Sequence, residues 1–155
     1  MNREIEFRGR TAKGEWVYGY HAKFRNYKNE VYSAIIPKDE ETDEGYLEDL
    51  YPVIPETVGQ YVGIKDKNGK KIFEHDIVKR RYFNHEVVFG EYGDEPHVTI
   101  GFFTKENQAL FIGEEDDFWY GGIDSRHEIE VLGNVFDNPE LLDKIEYKGE
   151  NDNGD

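Results

Sequence analysis

Residues 3–20 read REIEFRGRTAKGEWVYGY, and this stretch decides the fold of the chain. Large apolar side chains recur at every second position on both sides of the tetrapeptide Thr11–Gly14; they are Ile5 and Phe7 before it, and Trp16, Tyr18 and Tyr20 after it. Because residues two apart in a strand share one face of a sheet, this alternation is typical of β-strands. Thr-Ala-Lys-Gly is a turn sequence, so the stretch predicts a β-hairpin of residues 3–8 and 15–20.

The rest of the chain extends this β pattern. Aromatic residues make up 15% of the sequence, and aromatic and β-branched side chains fit the half-buried surface of a sheet. Residues 67–70 (Lys-Asn-Gly-Lys) contain the Asn-Gly pair typical of a type I′ hairpin turn. Further strands are expected at residues 31–36, 58–64, 76–79, 86–91, 97–104, 109–112 and 128–135.

One helix start is convincing, at Asn138-Pro139-Glu140. Asn is a good helix cap, Pro suits the first helical position, and a carboxylate is favoured at the positive end of the helix dipole. The helix is expected to end near Ile145 and to pack its two leucines on the sheet.

The many short strands and turns, with no Pro-rich or Ser-rich linker, predict a mostly β, single-domain chain. Its expected architecture is a twisted, partly closed β-barrel with the short C-terminal helix. The domain is expected to span residues 1–148, and the acidic residues 149–155 are expected to form a disordered tail. The predicted core residues are Trp16, Tyr18, Ile64, Ile77, Val87, Phe89, Val131 and Leu132.

The chain is strongly acidic, with 19 Lys and Arg against 34 Asp and Glu and a net charge of -15. Such a surface repels nucleic-acid phosphates and anionic lipids. Much of the acidity is concentrated in residues 39–49, 114–117 and 150–155, where there is no Lys or Arg. These stretches are expected to be solvated loops and a tail; the alternative is that a loop binds a cation or a basic partner.

Several classes of protein are excluded by composition. The chain has no Cys, which excludes disulfides, thiol catalysis and zinc–thiolate sites. No apolar run approaches the length of a membrane span, so no membrane association is expected. Residues 1–6 lack the apolar region of a secretory signal, which predicts a cytoplasmic location.

Three ordered groups of residues resemble the signatures of the YopX-like proteins of bacteriophages and prophages. They are residues 3–9 with 14–19, residues 57–63 with 66–74 and 76–78, and residues 129–135 with 138–142. The resemblance covers both ends and the middle of the chain, and it implies a mostly β fold and the cytoplasm of a bacterial host. It implies no site residues, because the family has no established biochemical function to transfer.

His75 departs from this resemblance, since the family usually carries Gly at that position. A Gly there indicates a turn with positive φ, and His tolerates the left-handed region more often than most residues. His75 is therefore expected to be a turn residue.

A basic segment is the main candidate for a binding site. Seven of the 19 Lys and Arg residues lie in residues 65–81, and a basic groove lined by aromatic side chains would bind a single-stranded nucleic acid. The candidate binding residues are Lys65, Lys67, Lys70, Lys71, Lys79, Arg80, Arg81 and Tyr82. The alternative, favoured by the net charge, is an exposed hairpin tip beside aromatic core residues.

A metal-dependent enzyme is a weaker alternative. Its candidate ligands are Glu74, His75, Asp76, His85, Asp94 and His97, which are residue types that Zn, Mn or Ni accept. The five His residues lack HxH or HExxH spacing, and no nucleophile elbow, phosphate loop or dinucleotide fingerprint occurs. We therefore expect no enzyme, cofactor or metal, and instead a phage or prophage accessory protein that self-associates and binds a protein partner; binding of a single-stranded nucleic acid is the alternative.

Overall fold

The computed structural model describes residues 4–80, 83–92, 95–96, 99–105 and 129–143. Within these ranges the chain is mostly β, with ten strands, two 3₁₀ turns and one short helix, as the sequence predicts. The chain divides into two compact units: residues 1–65 with 69–75 form the first, and residues 66–68 with 76–155 form the second.

The first unit contains a six-stranded antiparallel sheet. Its strands are β1 (Phe7–Arg10), β2 (Trp16–Arg25), β3 (Val31–Pro37), β4 (Tyr51–Val53), β5 (Gly59–Lys65) and β6 (Lys71–Phe73), in the order β4-β3-β2-β1-β5-β6. β1 pairs with β2 across the turn at residues 11–14, with Arg8 opposite Tyr18. This pairing confirms an N-terminal hairpin across that turn, although its first strand is Phe7–Arg10 and not the predicted residues 3–8.

The second unit contains a four-stranded antiparallel sheet and the helix. Its strands are β7 (Asp76–Arg80), β8 (Phe83–Tyr92), β9 (Thr99–Lys105) and β10 (Ile129–Asn134), in the order β10-β7-β8-β9. Helix α1 (Glu140–Asp143) contacts β8, where the Asn84 amide donates to the Leu141 carbonyl at 3.0 Å. The expected strand at 109–112, the helix end near Ile145 and the tail 149–155 lie outside the described residues.

Partial closure into a barrel is not confirmed. Among the described strands, β4 and β6 stand at opposite ends of the six-stranded order and do not pair with each other. The prediction of a single domain over residues 1–148 stays a prediction.

The buried residues correct part of the predicted core. Ile77 and Val87 are fully buried, as predicted, but Tyr18, Phe89 and Leu132 expose 45%, 57% and 37% of their surface. Trp16, Ile64 and Val131 are intermediate in burial. The error has a physical cause: alternation tells which residues share a face, but not whether that face, or that end of the strand, is covered.

The structure confirms one of two turns predicted from the sequence and corrects the type of the other. His75 has a φ of 71°, which confirms that it stands in a left-handed turn. The turn at 67–70 is not type I′, because Gly69 has a φ of 82° whereas Asn68 is not among the positive-φ residues, and type I′ needs both. The carboxylate of Asp66 accepts the Asn68 N–H at 2.8 Å, which shapes a longer turn between the paired residues Lys65 and Lys71.

Candidate functional site

The basic segment is divided between the two units. Lys65, Lys70 and Lys71 belong to the first unit, and Lys67, Lys79 and Arg80 to the second. Arg81 and Tyr82 lie outside the described residues.

In the first unit, Lys71 is held by carboxylates. Its ammonium donates to Glu4 at 2.7 Å and also to Glu6, and it lies 5.3 Å from the ring centroid of Tyr61. Glu4 also pairs with Lys38 at 3.4 Å, and Lys38 pairs with Asp43 at 2.8 Å. We call these five charged residues, Glu4, Glu6, Lys38, Asp43 and Lys71, the ionic cluster.

The electrostatics of the ionic cluster favour the charged forms of Glu4, Lys38 and Lys71. The hydrogen bond from Lys71 lowers the pKa of Glu4, and the hydrogen bond to Asp43 raises the pKa of Lys38. Burial works against the charge on Lys71, but the bonds to Glu4 and Glu6 outweigh it and raise the pKa of Lys71. Lys71 is thus compensated internally, which weakens its attraction for a phosphate.

In the second unit, Lys67 and Arg80 also have internal partners. The Lys67 ammonium lies 3.4 Å from Glu130. Arg80 is buried and donates to the Thr104 hydroxyl at 3.3 Å. Lys65 and Lys79 are exposed, as is Lys70 of the first unit.

An aromatic cluster that sequence analysis did not anticipate surrounds Arg8 in the first unit. The Arg8 guanidinium lies 4.8 Å from the Trp16 ring centroid and 5.0 Å from that of Phe73. It also donates to the Glu74 carbonyl at 3.3 Å, and Tyr18 packs edge-on against Phe73. The alternating pattern indicated this shared face, but it gave no sign that an Arg fills its centre.

The acidic stretch 39–49 lies at the surface of the first unit. All its residues are exposed, including the apolar side chains of Tyr46 and Leu47. The Tyr20 hydroxyl donates to the Asp43 carbonyl, and a β-bridge joins Lys38 to Gly45. The loop therefore presents acidic and apolar groups together from an anchored backbone.

The metal alternative gains no support from the described residues, in which no three His, Asp or Glu side chains come together as ligands. Glu74, His75 and Asp76 are consecutive, and Asp76 is buried whereas Glu74 and His75 are half-buried. Asp94 and His97 lie outside the described ranges.

An apolar surface lies at one end of the β8–β9 ribbon in the second unit. Val87 pairs with Thr104, Phe89 with Phe102, and Glu91 with Ile100, so these six residues share one face. Val87 and Thr104 are buried, but Phe89 exposes 57% and Ile100 exposes 67% of its surface. The apolar face thus continues beyond the buried core, and we call Phe89, Phe102 and Ile100 the apolar ribbon end.

No helix within the described ranges is long and apolar enough to span a membrane. The described residues define a small, mostly β protein that exposes an acidic loop and an apolar strand end. A family model described as YopX protein matches residues 6–143, and the chain belongs to the YopX family.

Among solved structures, the chain is similar to protein EF1440 from Enterococcus faecalis. The two share 23% sequence identity with a TM-score of 0.46, over 91% of this chain and 99% of that chain. Comparison with curated proteins gave no match.

Proposed function

We propose that this chain is a phage-encoded or prophage-encoded accessory protein that acts by binding, without catalysis, and that it self-associates. The observation that carries this proposal is the apolar ribbon end. Exposed apolar patches that continue a buried face are typical of surfaces that another molecule covers.

The geometry of the apolar ribbon end favours a specific contact. The Phe89 and Phe102 rings lie 5.0 Å apart in an edge-to-face arrangement, so the patch is already ordered by its own packing. Phe89 and Ile100 together expose roughly 200 Å² of apolar surface. Covering that area at about 25 cal/mol per Å² would contribute roughly 5 kcal/mol before the cost of association.

The acidic loop supports a basic protein as the heterologous partner. Residues 39–49 contain seven acids and no Lys or Arg, and they expose Tyr46 and Leu47 beside those acids. Complementary charge steers association and selects partners, while the apolar groups contribute affinity.

Light scattering of three proteins tests the self-association surface. Wild type and the control Tyr27→Ser, which changes a side chain 93% exposed at the β2–β3 turn, are expected to form the same oligomer. The double variant Phe89→Ser with Ile100→Ser is expected to shift toward monomer. Unchanged association of the double variant would reject the apolar ribbon end as the contact surface.

A further inference from the structure

We propose that the acidic loop, residues 39–49, of one copy binds a basic strip at the far end of β2 and β3 on the next copy. The inference rests on the proposed self-association and adds a second, head-to-tail contact to it. Both surfaces belong to the first unit and consist of described residues.

The far end of β2 and β3 is basic, although the chain as a whole is acidic. Residues 23–33 contain three Lys or Arg and one acid. Arg25 pairs with Val31 across the two strands, and Lys23 lies two residues before Arg25, so the three side chains share one face. All three are exposed, Val31 to 56%. We call Lys23, Arg25 and Val31 the basic strip.

The charges of the basic strip are not neutralised within the described part of the first unit. No carboxylate there pairs with Lys23 or Arg25, and the Arg25 guanidinium donates to the Asn29 side chain at 3.0 Å. Glu30 is the one acid of residues 23–33, and its carboxylate accepts the Asn26 amide at 2.9 Å. The strip therefore presents a local positive charge to solvent.

The acidic loop is shaped by two of its acids and presents the other five. The Asp39 carboxylate accepts the Glu41 N–H at 2.8 Å, and Asp43 pairs with Lys38 at 2.8 Å. A loop ordered in this way loses less conformational entropy when it binds. The remaining acids are exposed and have no ionic partner among the described residues; they are Glu40, Glu41, Glu44, Glu48 and Asp49.

The two surfaces lie at opposite ends of β3. The basic strip includes Val31, the first residue of that strand, and the acidic loop follows its last residue, Pro37. Six residues of extended strand span about 20 Å, and the bridge between Lys38 and Gly45 holds the loop at its own end. The acidic loop can therefore reach a basic strip on another copy but not the strip of its own chain.

The two surfaces are complementary in both charge and polarity. The free acids would face Lys23 and Arg25, while Val31 would lie against Tyr46 and Leu47, which expose 66% and 68% of their surface. Close ion pairs act within the Debye length of about 8 Å at physiological salt, whereas repulsion between the distant charges of two acidic copies is largely screened. Complementary charge fixes the orientation of such a contact, and the apolar groups contribute affinity.

A contact between two different surfaces is heterologous, so further copies add in a row or close into a ring. It leaves the apolar ribbon end of the second unit unused. A basic partner protein at the acidic loop would compete with this contact, which links partner binding to the assembly of the chain.

Charge reversal on each surface, followed by multi-angle light scattering, tests the contact. One variant reverses the basic strip, Lys23→Glu with Arg25→Glu, and the other reverses the loop, Glu44→Lys with Glu48→Lys. Each variant alone is expected to associate through this contact at least about tenfold more weakly than wild type, because like charges now meet. An equal mixture of the two variants restores opposite charges at every contact and is expected to regain association.

The matched control is Lys13→Glu with Lys65→Glu. Both lysines are exposed in the first unit outside the basic strip, and the control changes the net charge by the same amount as the strip variant. All proteins are compared in the Phe89→Ser, Ile100→Ser background as well, where the apolar ribbon end is removed. Recovery of association by the mixture in that background is expected if the head-to-tail contact is independent of the ribbon end.

Three outcomes would overturn the contact. The first is a mixture no heavier than its separate components, and the second is an equal loss of association in the strip variant and the control. The third is a wild type that keeps the mass of one chain, which would also overturn the proposed self-association and leave the loop to a basic partner protein. If a double reversal does not fold, the single reversals Arg25→Glu and Glu48→Lys give the same comparison.

Discussion

Gly59 shows how a single residue can be fixed by a close backbone approach. A Cβ atom at this position would lie 2.7 Å from the Glu74 carbonyl oxygen, and neither backbone can move easily because Gln60 and Glu74 are joined by a backbone hydrogen bond. The glycine thus permits β5 and the segment after β6 to meet.

Gly59→Ala is therefore expected to lower the free energy of unfolding by about 1–3 kcal/mol, the usual cost of overpacking. Urea denaturation measures the change. Gly90→Ala is the matched control, because its Cβ would meet Phe103 at 3.7 Å, an ordinary contact. Equal stability of the two variants would contradict the close approach.

His21 makes stability depend on pH. Burial, reinforced by the nearby Lys23, lowers the pKa of His21, so the folded chain favours the neutral ring. The unfolded chain therefore binds more protons around the ordinary His pKa of about 6.5. The stability that the neutral His21 ring contributes to the folded chain is lost as the pH falls from that value toward the folded pKa.

The replacement His21→Phe keeps a ring beside Phe7, whose centroid lies 5.7 Å from that of His21. The variant is expected to lose less stability than wild type between about pH 7.5 and pH 5.5. Denaturation midpoints at the two pH values give the comparison. An identical loss in both proteins would show that His21 does not titrate differently on folding.

The structural role of some residues can be predicted from the sequence, and that of others cannot. His75 was recognised as a turn residue because a Gly was expected there, and the local chain decides φ. Arg8 and Asp66 were not recognised as buried, because their partners come from other parts of the chain: Trp16 and Phe73 for Arg8, and Val131 for Asp66.

At the level of elements, the ionic cluster joins strands that are not neighbours in the sheet. Glu4 precedes β1, Lys38 follows β3, and Lys71 lies on β6, yet Glu4 pairs with both lysines. The cluster therefore links separate segments of the first unit through side chains, in addition to the backbone bonds of the sheet.

Lys71→Met is expected to lower stability by about 1 kcal/mol in low salt, since its pairs are partly exposed and only partly screened. The loss should be smaller in about 1 M salt, where the Debye length is near 3 Å. Thermal denaturation at both salt concentrations measures it, with the exposed turn variant Lys13→Met as control. A loss that is independent of salt would assign the effect of Lys71 to packing.

The elements were easiest to predict where the pattern was long. Among the described strands, all except β4 and β6 overlap the expected ones, because the sequence there offers several alternating or continuous apolar positions. β4 and β6 have three residues each, which is too few for a period of two to be recognised. The Asn-Gly pair gave the right place for a turn but the wrong type, since Asp66 reshapes it.

At the scale of the whole molecule, charge determines which partners can approach. The net charge is -15, and Lys67, Lys71 and Arg80 have internal partners. A labelled single-stranded DNA is therefore expected not to bind at about 50 mM salt, as measured by fluorescence anisotropy. Tight binding there, lost at about 200 mM salt, would instead support the basic segment 65–81 as a nucleic-acid site.

The global features that sequence could predict are the mostly β class and the family. Both depend on many positions at once, so single errors do not change them. Closure of the sheet and the exposure of Phe89 could not be predicted, because they depend on which strand ends are covered by distant residues. The apolar ribbon end follows from that exposure and therefore emerges only from the structure, whereas the acidic stretch 39–49 is a candidate from the sequence as well.

The central claim is that this YopX-family protein self-associates, and its most direct test is the molar mass of the wild-type protein in solution. One chain has a mass of 18.2 kDa. Multi-angle light scattering at micromolar concentration is expected to give a multiple of that mass, decreasing toward one chain on dilution. A mass of one chain throughout that range would contradict the claim.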